Sequence, residues 1–306
     1  MNYAPIALFV YNRPWHTKQT VEALLANAEA ATTPLYIFSD APRGSAPSQA
    51  VAEVRAYIRT IDGFGSVTII EREANFGLAR SIIDGVTQLC EEYGRVIVME
   101  DDLVTSPHFL AYMNAALERY EGEDKVMQIA GYMFPVTLDL KDDALFLPFT
   151  SSWGWGTWQR AWRHFDAGAS GYQQLASDAS LRRAFDLDGS YGYYRMLESQ
   201  LKGKTDSWAI RWYLSVFLLG GLILYPKKTL VRNLGFDGSG VNCVASSITE
   251  SVIEQDFRVG SMPQQIGVSE HYASVLRCLP KPRLNVKTIL NRLRKSIKVF
   301  WNEKTN

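Results

Sequence analysis

Val96-Ile97-Val98-Met99-Glu100-Asp101-Asp102 holds the clearest clue to the architecture of this chain. Its first four residues are apolar without alternation, as in a strand covered on both faces, and that pattern belongs to a largely parallel sheet sandwiched between helices. The strand then empties into three consecutive carboxylates. One acid would suffice to cap a helix starting near Ser106-Pro107, so three in a row ask for a counter-charge.

On the N-terminal side of this segment, the first hundred residues repeat the same plan. Apolar runs at Ile6 to Tyr11, Leu35 to Ser39 and Val67 to Glu71 read as further buried strands. Between them, apolar residues recur at helical spacing: Val21, Leu24 and Leu25, then Val51, Val54 and Ile58, then Ile82, Ile83, Val86 and Leu89. Strand and helix alternate, which predicts an α/β fold with a mostly parallel, Rossmann-like sheet flanked by helices. Such sheets bind ligands at the carboxyl ends of their strands. Those ends carry Asn12 and Arg13, Asp40, Asn75, and the triplet Glu100, Asp101 and Asp102. No Gly-x-Gly-x-x-Gly follows the first strand and no Walker-type Gly-Lys-Ser/Thr occurs, so a phosphate-bearing ligand would be held by other means.

Composition narrows the possibilities. With 306 residues, 47% of them hydrophobic, the chain can bury a large core, and disorder is excluded as its general state. Lys and Arg number 32 and Asp and Glu also 32, so no overall field attracts nucleic acid. Cys90, Cys243 and Cys278 are too few and too scattered for a disulfide framework or a zinc site. Met1 to Asn12 lacks the basic and apolar regions of a secretory signal, and the longest apolar run, Leu214 to Tyr225, is interrupted by Gly220 and Gly221. The expectation is a cytoplasmic protein without a transmembrane helix.

The acidic triplet has a specific chemical use. Hard carboxylate oxygens suit magnesium or manganese, and a cation held by one or two of them keeps positions open for the oxygens of a diphosphate. It would then stabilise the charge on a departing nucleoside diphosphate.

The triplet, followed by Leu103 and by Pro107-His108-Phe109, resembles the corresponding segment of the N-acetylglucosaminyltransferase that initiates complex N-glycan branching and of related bacterial sugar transferases of the GT-A type. The similarity runs discontinuously from residue 6 to about residue 243. It implies a GT-A fold, a nucleotide-sugar donor, UDP-linked, and an inverting transfer. It also implies Asp102 as the metal ligand, Asp101 and Glu100 beside the donor, and Asn12, Arg13 and Asp40 as contacts to the nucleotide. Asn75-Phe76-Gly77-Leu78 resembles the Asn-x-Gly-Leu stretch that precedes the metal strand in GT-A enzymes. Gly77 permits a tight turn there, and Arg80 is a candidate for a phosphate, for the acidic cluster, or for plain solvent.

Glycosyl transfer needs a base for the acceptor hydroxyl. Asp206, in Thr205-Asp206-Ser207-Trp208, resembles the family's catalytic carboxylate, while its position before a helical run also suits an N-cap. Trp153, Trp155 and Trp208 offer flat faces for the acceptor sugar, or belong to the core. Gly235-Phe236-Asp237-Gly238-Ser239-Gly240 reads as a loop able to close over the diphosphate. Related bacterial sequences carry histidine near its end, where this chain has Val241-Asn242, so a third protein ligand to the metal is not evident. His16, His108, His164 and His271 show no ligand spacing and read as surface or packing, and Cys90 reads as core.

The organisation expected is a nucleotide-sugar and metal-binding half over 1–134, an acceptor-binding and catalytic half of the same domain over 135–279, and a basic amphipathic helix over 280–306. From Lys281 to Lys298 the tail has seven basic residues and no acid, with Val286, Ile289, Leu290, Leu293, Ile297 and Phe300 at helical spacing. It suits an anionic membrane surface or a docking site on protein. The activity expected is transfer of a hexose or N-acetylhexosamine to a saccharide or lipid-linked acceptor during surface polysaccharide synthesis. A nucleotidyltransferase and a non-catalytic sugar-binding descendant are the alternatives.

Overall fold

A computed structural model describes residues 3–45, 48–237 and 252–279. The basic tail and residues 238–251, including Asn242 and Cys243, lie outside the described residues.

The first half builds in the alternating order: β1 (Ile6–Val10), α1 (Pro14–Leu25), β2 (Pro34–Ser39), α2 (Ser48–Ile58), β3 (Ser66–Glu71), α3 (Leu78–Tyr93) and β4 (Arg95–Glu100). Pro14 starts α1, where its missing N–H and fixed φ cost nothing. Gly94 ends α3 in the left-handed conformation with φ 75°, donating its N–H to the Cys90 carbonyl. There follow β5 (Leu103–Thr105), α4 (Phe109–Arg119), β6 (Val126–Ala130), β7 (Ala144–Leu147) and β8 (Trp155–Trp158). A helical run, α5 (Gln159–Trp162), α6 (Tyr172–Ser177), α7 (Ala179–Phe185), α8 (Tyr193–Leu201) and α9 (Trp208–Leu218), leads to β9 (Leu222–Pro226), β10 (Val231–Asn233) and α10 (Tyr272–Cys278).

Eight strands form one sheet in the order β3-β2-β1-β4-β8-β6-β9-β7. β8 pairs antiparallel with both β4 and β6, and β7 antiparallel with β9, while every other pairing is parallel. All strands but β7 and β8 therefore point the same way, and the sheet is mixed yet mostly co-directional. It runs without a break from the first half of the chain into the second. β1 and β4 are central and covered on both faces, as their apolar runs require. β3 departs from expectation: it is an edge strand, its residues half-buried or exposed.

The two faces carry separate cores. On one, α3 and the aromatic side chains of α5 to α9 pack on Phe9, Phe38, Val98 and Trp155. On the other, α1, α2 and α4 cover Ile6, Leu8, Ile37, Ile97 and Trp158. The strand period of two sends Trp155 and Trp158 to opposite faces.

A second, two-stranded sheet folds a late segment of the chain back onto the acids. β5 leaves directly after the acidic triplet and pairs antiparallel with β10, Leu103 opposite Asn233 and Thr105 opposite Val231. That pairing brings residues 234–237 to the carboxyl end of β4.

Candidate active site

The acids stand at the carboxyl end of β4, beside that of β1, with which β4 pairs. Asp101 and Asp102 are buried, 4% and 6% exposed. Arg13, the residue before α1 in the short loop that follows β1, reaches both: its Nη2 bonds the Asp101 carboxylate and its Nη1 lies 2.9 Å from Asp102 Oδ2. The backbone helps fix the pair. Thr20 Oγ1 donates to the Asp101 carbonyl at 2.9 Å, and Leu234 N–H donates to the Asp102 carbonyl at 2.8 Å.

The electrostatics follow from burial. Burial alone would lower the Arg13 guanidinium, but the charges of Asp101 and then Asp102 outweigh it and raise its pKa. Burial raises the Asp101 carboxyl, with Arg13 opposing. Glu100 is pushed up to about 8, first by burial and then by the charges of Asp102 and Asp101. With Glu100 largely protonated at neutral pH, one guanidinium answers two aspartates, and a negative surplus remains.

The family resemblance puts Arg13 on the nucleotide; in the structure its guanidinium grips the acids. Arg80, a candidate partner for those acids, lies over the Phe76 ring at 4.0 Å. Asp40 is 7% exposed, and its carboxylate accepts from the N–H groups of Phe76 and Gly77, both at 2.8 Å, and of Ala41 at 2.9 Å. Asn75 Nδ2 donates to the Ala41 carbonyl at 2.6 Å. Asp40 and Asn75 thereby tie the end of β2 to the turn that opens α3, where Gly77 adopts φ 73°. Asn12 lies half-buried at the end of β1.

The turn over 235–237 closes the other side. A Cβ on Gly235 would lie 2.2 Å from Asp102 Oδ2, so only glycine allows this approach. Phe236 packs edge-on against Trp153, ring centroids 5.4 Å apart. Asp237 Oδ2 sits 3.1 Å from Nε2 of His16.

Two tryptophans need correction. Trp155 is 0% and Trp208 4% exposed, and they stack on each other at 5.0 Å. With both faces covered they are core, not acceptor surfaces. Trp153 is half-buried and keeps its place beside the 235–237 turn. Asp206 is exposed and pairs with Arg211 at 3.0 Å. The N-cap of α9 is Ser207, whose Oγ accepts from Ile210 N–H, so the capping reading of Asp206 falls away.

Ligand spacing alone passes over His16, yet it is buried and faces a carboxylate. The available signal is the helical spacing of Arg13, His16 and Thr20, which places three polar side chains along one side of α1. Among the described residues no cluster of three or more His, Cys, Asp or Glu side chains forms a cage for a metal ion. The donor set fits a hard divalent cation that takes one or two carboxylate oxygens from protein and the rest from a diphosphate and water.

No family model matches this sequence. No curated protein matches it either. Among solved structures, similarity extends to mannosyltransferase PcManGT from Pyrobaculum calidifontis, in complex with GDP-Man and Mn2+, at 14% identity over 44% of this chain and 37% of that one, with a TM-score of 0.32. TarS 1-349 of S. aureus shares 9% identity over 74% of this chain and 59% of its own, with a TM-score of 0.40. GalNAc-T7 with UDP, GalNAc and Mn2+ shares 9% over 74% of this chain and 43% of its own, with a TM-score of 0.43. The chain thus spans less than two thirds of the length of each.

Proposed function

We propose that this chain is a glycosyltransferase of the GT-A type, moving a hexose or N-acetylhexosamine from a nucleotide-sugar donor, UDP-linked, to a hydroxyl of a saccharide or lipid-linked acceptor in surface polysaccharide synthesis. The observation that carries the reading is the buried Asp101–Asp102 pair at the carboxyl end of β4, held by Arg13 and left with surplus negative charge. A divalent ion bound by Asp102, manganese or magnesium, supplies counter-charge for the departing diphosphate. Asp101 and Glu100 face the donor. Asn12, Asn75 and Arg80 line the nucleotide side, with Asp40 contributing the acceptor position that its three backbone donors leave.

Arg13 holds the acids in place so that the site does not reorganise as charge develops. Asp206 is the base that takes the acceptor proton, its carboxylate exposed at the start of α9, and Trp153 borders the acceptor. A single displacement then inverts the anomeric centre. No helix among the described residues is long and apolar enough to cross a membrane. The basic tail over 280–306 is the surface contact proposed for a cytoplasmic enzyme working at a membrane.

Thermal unfolding with a panel of UDP- and GDP-sugars, with and without manganese, tests the reading. At a hundredfold excess over Kd a ligand specific to the folded state adds about 2.7 kcal/mol. A rise in Tm that requires both metal and nucleotide sugar is expected. No rise with any donor would sink the proposal.

A further inference from the structure

Trp15 is 59% exposed, the sole aromatic among the large apolar side chains left exposed in the described residues. It stands in the first turn of α1, two residues beyond Arg13, and its indole meets the edge of His16 at 4.9 Å and 87°. His16 in turn faces Asp237, whose side chain is 45% exposed. One residue earlier, Phe236 meets Trp153, which meets Tyr132 at 4.4 Å. The turn over 235–237 therefore has aromatic side chains on both flanks and packs through Gly235 on Asp102.

We infer that Trp15, with the neighbouring Asp237 carboxylate, binds a sugar ring of the acceptor at the mouth of the acidic site, an inference that rests on the transferase reading. A pyranose has a C–H face that an open indole covers and hydroxyls at its rim that a carboxylate accepts from. Trp15 and Trp153 both belong to the α1 side of the sheet. Through His16 and Asp237, Trp15 joins the same turn that Phe236 holds against Trp153, the side chain proposed to border the acceptor, and this favours the acceptor over the nucleobase as occupant of the indole face. Exposure also means that replacing Trp15 removes little packing.

The test uses the full chain with UDP or GDP and manganese bound, and reads saturation-transfer NMR with the methyl α- and β-glycosides of glucose, galactose, mannose, N-acetylglucosamine and N-acetylgalactosamine. At least one glycoside should bind, Trp15→Ala should weaken it about tenfold, and Trp15→Phe should keep most of the affinity. Nucleotide affinity should stay unchanged in both variants. The inference is overturned if no glycoside binds the wild type, if Trp15→Ala binds it equally well, or if Trp15→Ala weakens the nucleotide, which would place the indole under the base. If no nucleoside diphosphate binds the wild type with manganese, the transferase reading fails, while glycoside titrations without nucleotide still decide whether Trp15 binds sugar.

Discussion

Replacing Arg13 with methionine removes the only cation seen on Asp101 and Asp102 among the described residues and keeps most of the side chain's bulk. The three side chains are 17%, 5% and 9% exposed, so the pair is a buried one and solvent screening is slight. Breaking a buried pair by removing one partner costs about 3–5 kcal/mol, because the remaining charge has lost both water and its counterion. Here two carboxylates are stranded, and Glu100, pushed up to about 8 by burial and its neighbours, shows that the site already disfavours a further negative charge. The expected loss therefore lies in the full range, about 3–5 kcal/mol, or on the order of 10 °C in Tm. Arg13→Lys should fall between, since a lysine keeps the charge but not the fork that reaches two carboxylates. Urea unfolding of the three proteins measures this directly. Manganese with a nucleoside diphosphate should restore more stability to Arg13→Met than to the wild type, because the cation finds an unanswered charge. A loss below about 1 kcal/mol for Arg13→Met would refute the picture of a buried, electrostatically tense cluster.

Other substitutions separate the roles around it. Asp102→Ala relieves charge rather than stranding it, so it should fold normally and abolish metal-dependent nucleotide binding, read by calorimetry; unchanged affinity would remove Asp102 from the metal. Gly235→Ala places a methyl 2.2 Å from Asp102 Oδ2, about 1 Å closer than ordinary contact, and should weaken the same binding about 10- to 100-fold with only a modest change in Tm. Wild-type affinity in that variant would show that the turn does not press on Asp102. For Asp206, Asn should leave Tm and donor affinity intact and lower turnover about 100- to 10,000-fold, whereas retention of more than roughly a tenth of turnover would move the base role to Asp237. The cap control is Ser207→Ala, which should cost about 1 kcal/mol, against less than about 0.5 kcal/mol for Asp206→Ala.

Much of this protein is legible from local pattern. Uninterrupted apolar runs locate β1, β2, β3 and β4, the helical spacing locates α1, α2 and α3, and the acids at the end of Val96 to Glu100 mark the site, because each signal depends on neighbours in sequence. Side-chain environment is beyond the reach of local pattern. Three tryptophans in six residues look alike in sequence, yet β8 is inserted between β4 and β6, which buries Trp155 against Trp208 and leaves Trp153 beside the turn. Likewise Asp206 and Ser207 are both competent caps, and only the backbone geometry selects Ser207.

The alternating architecture and the place where negative charge accumulates were written in the order of residues, since strand burial and carboxylate clustering are properties of contiguous stretches. The groups that answer that charge came from folding alone. Arg13 meets acids 88 and 89 positions away because β1 and β4 pair in parallel, and Gly235 and Asp237 arrive because β5 pairs with β10. Long-range pairing of this kind leaves no periodic trace in the chain, so the partners of the acidic triplet became visible only when the strands were brought together.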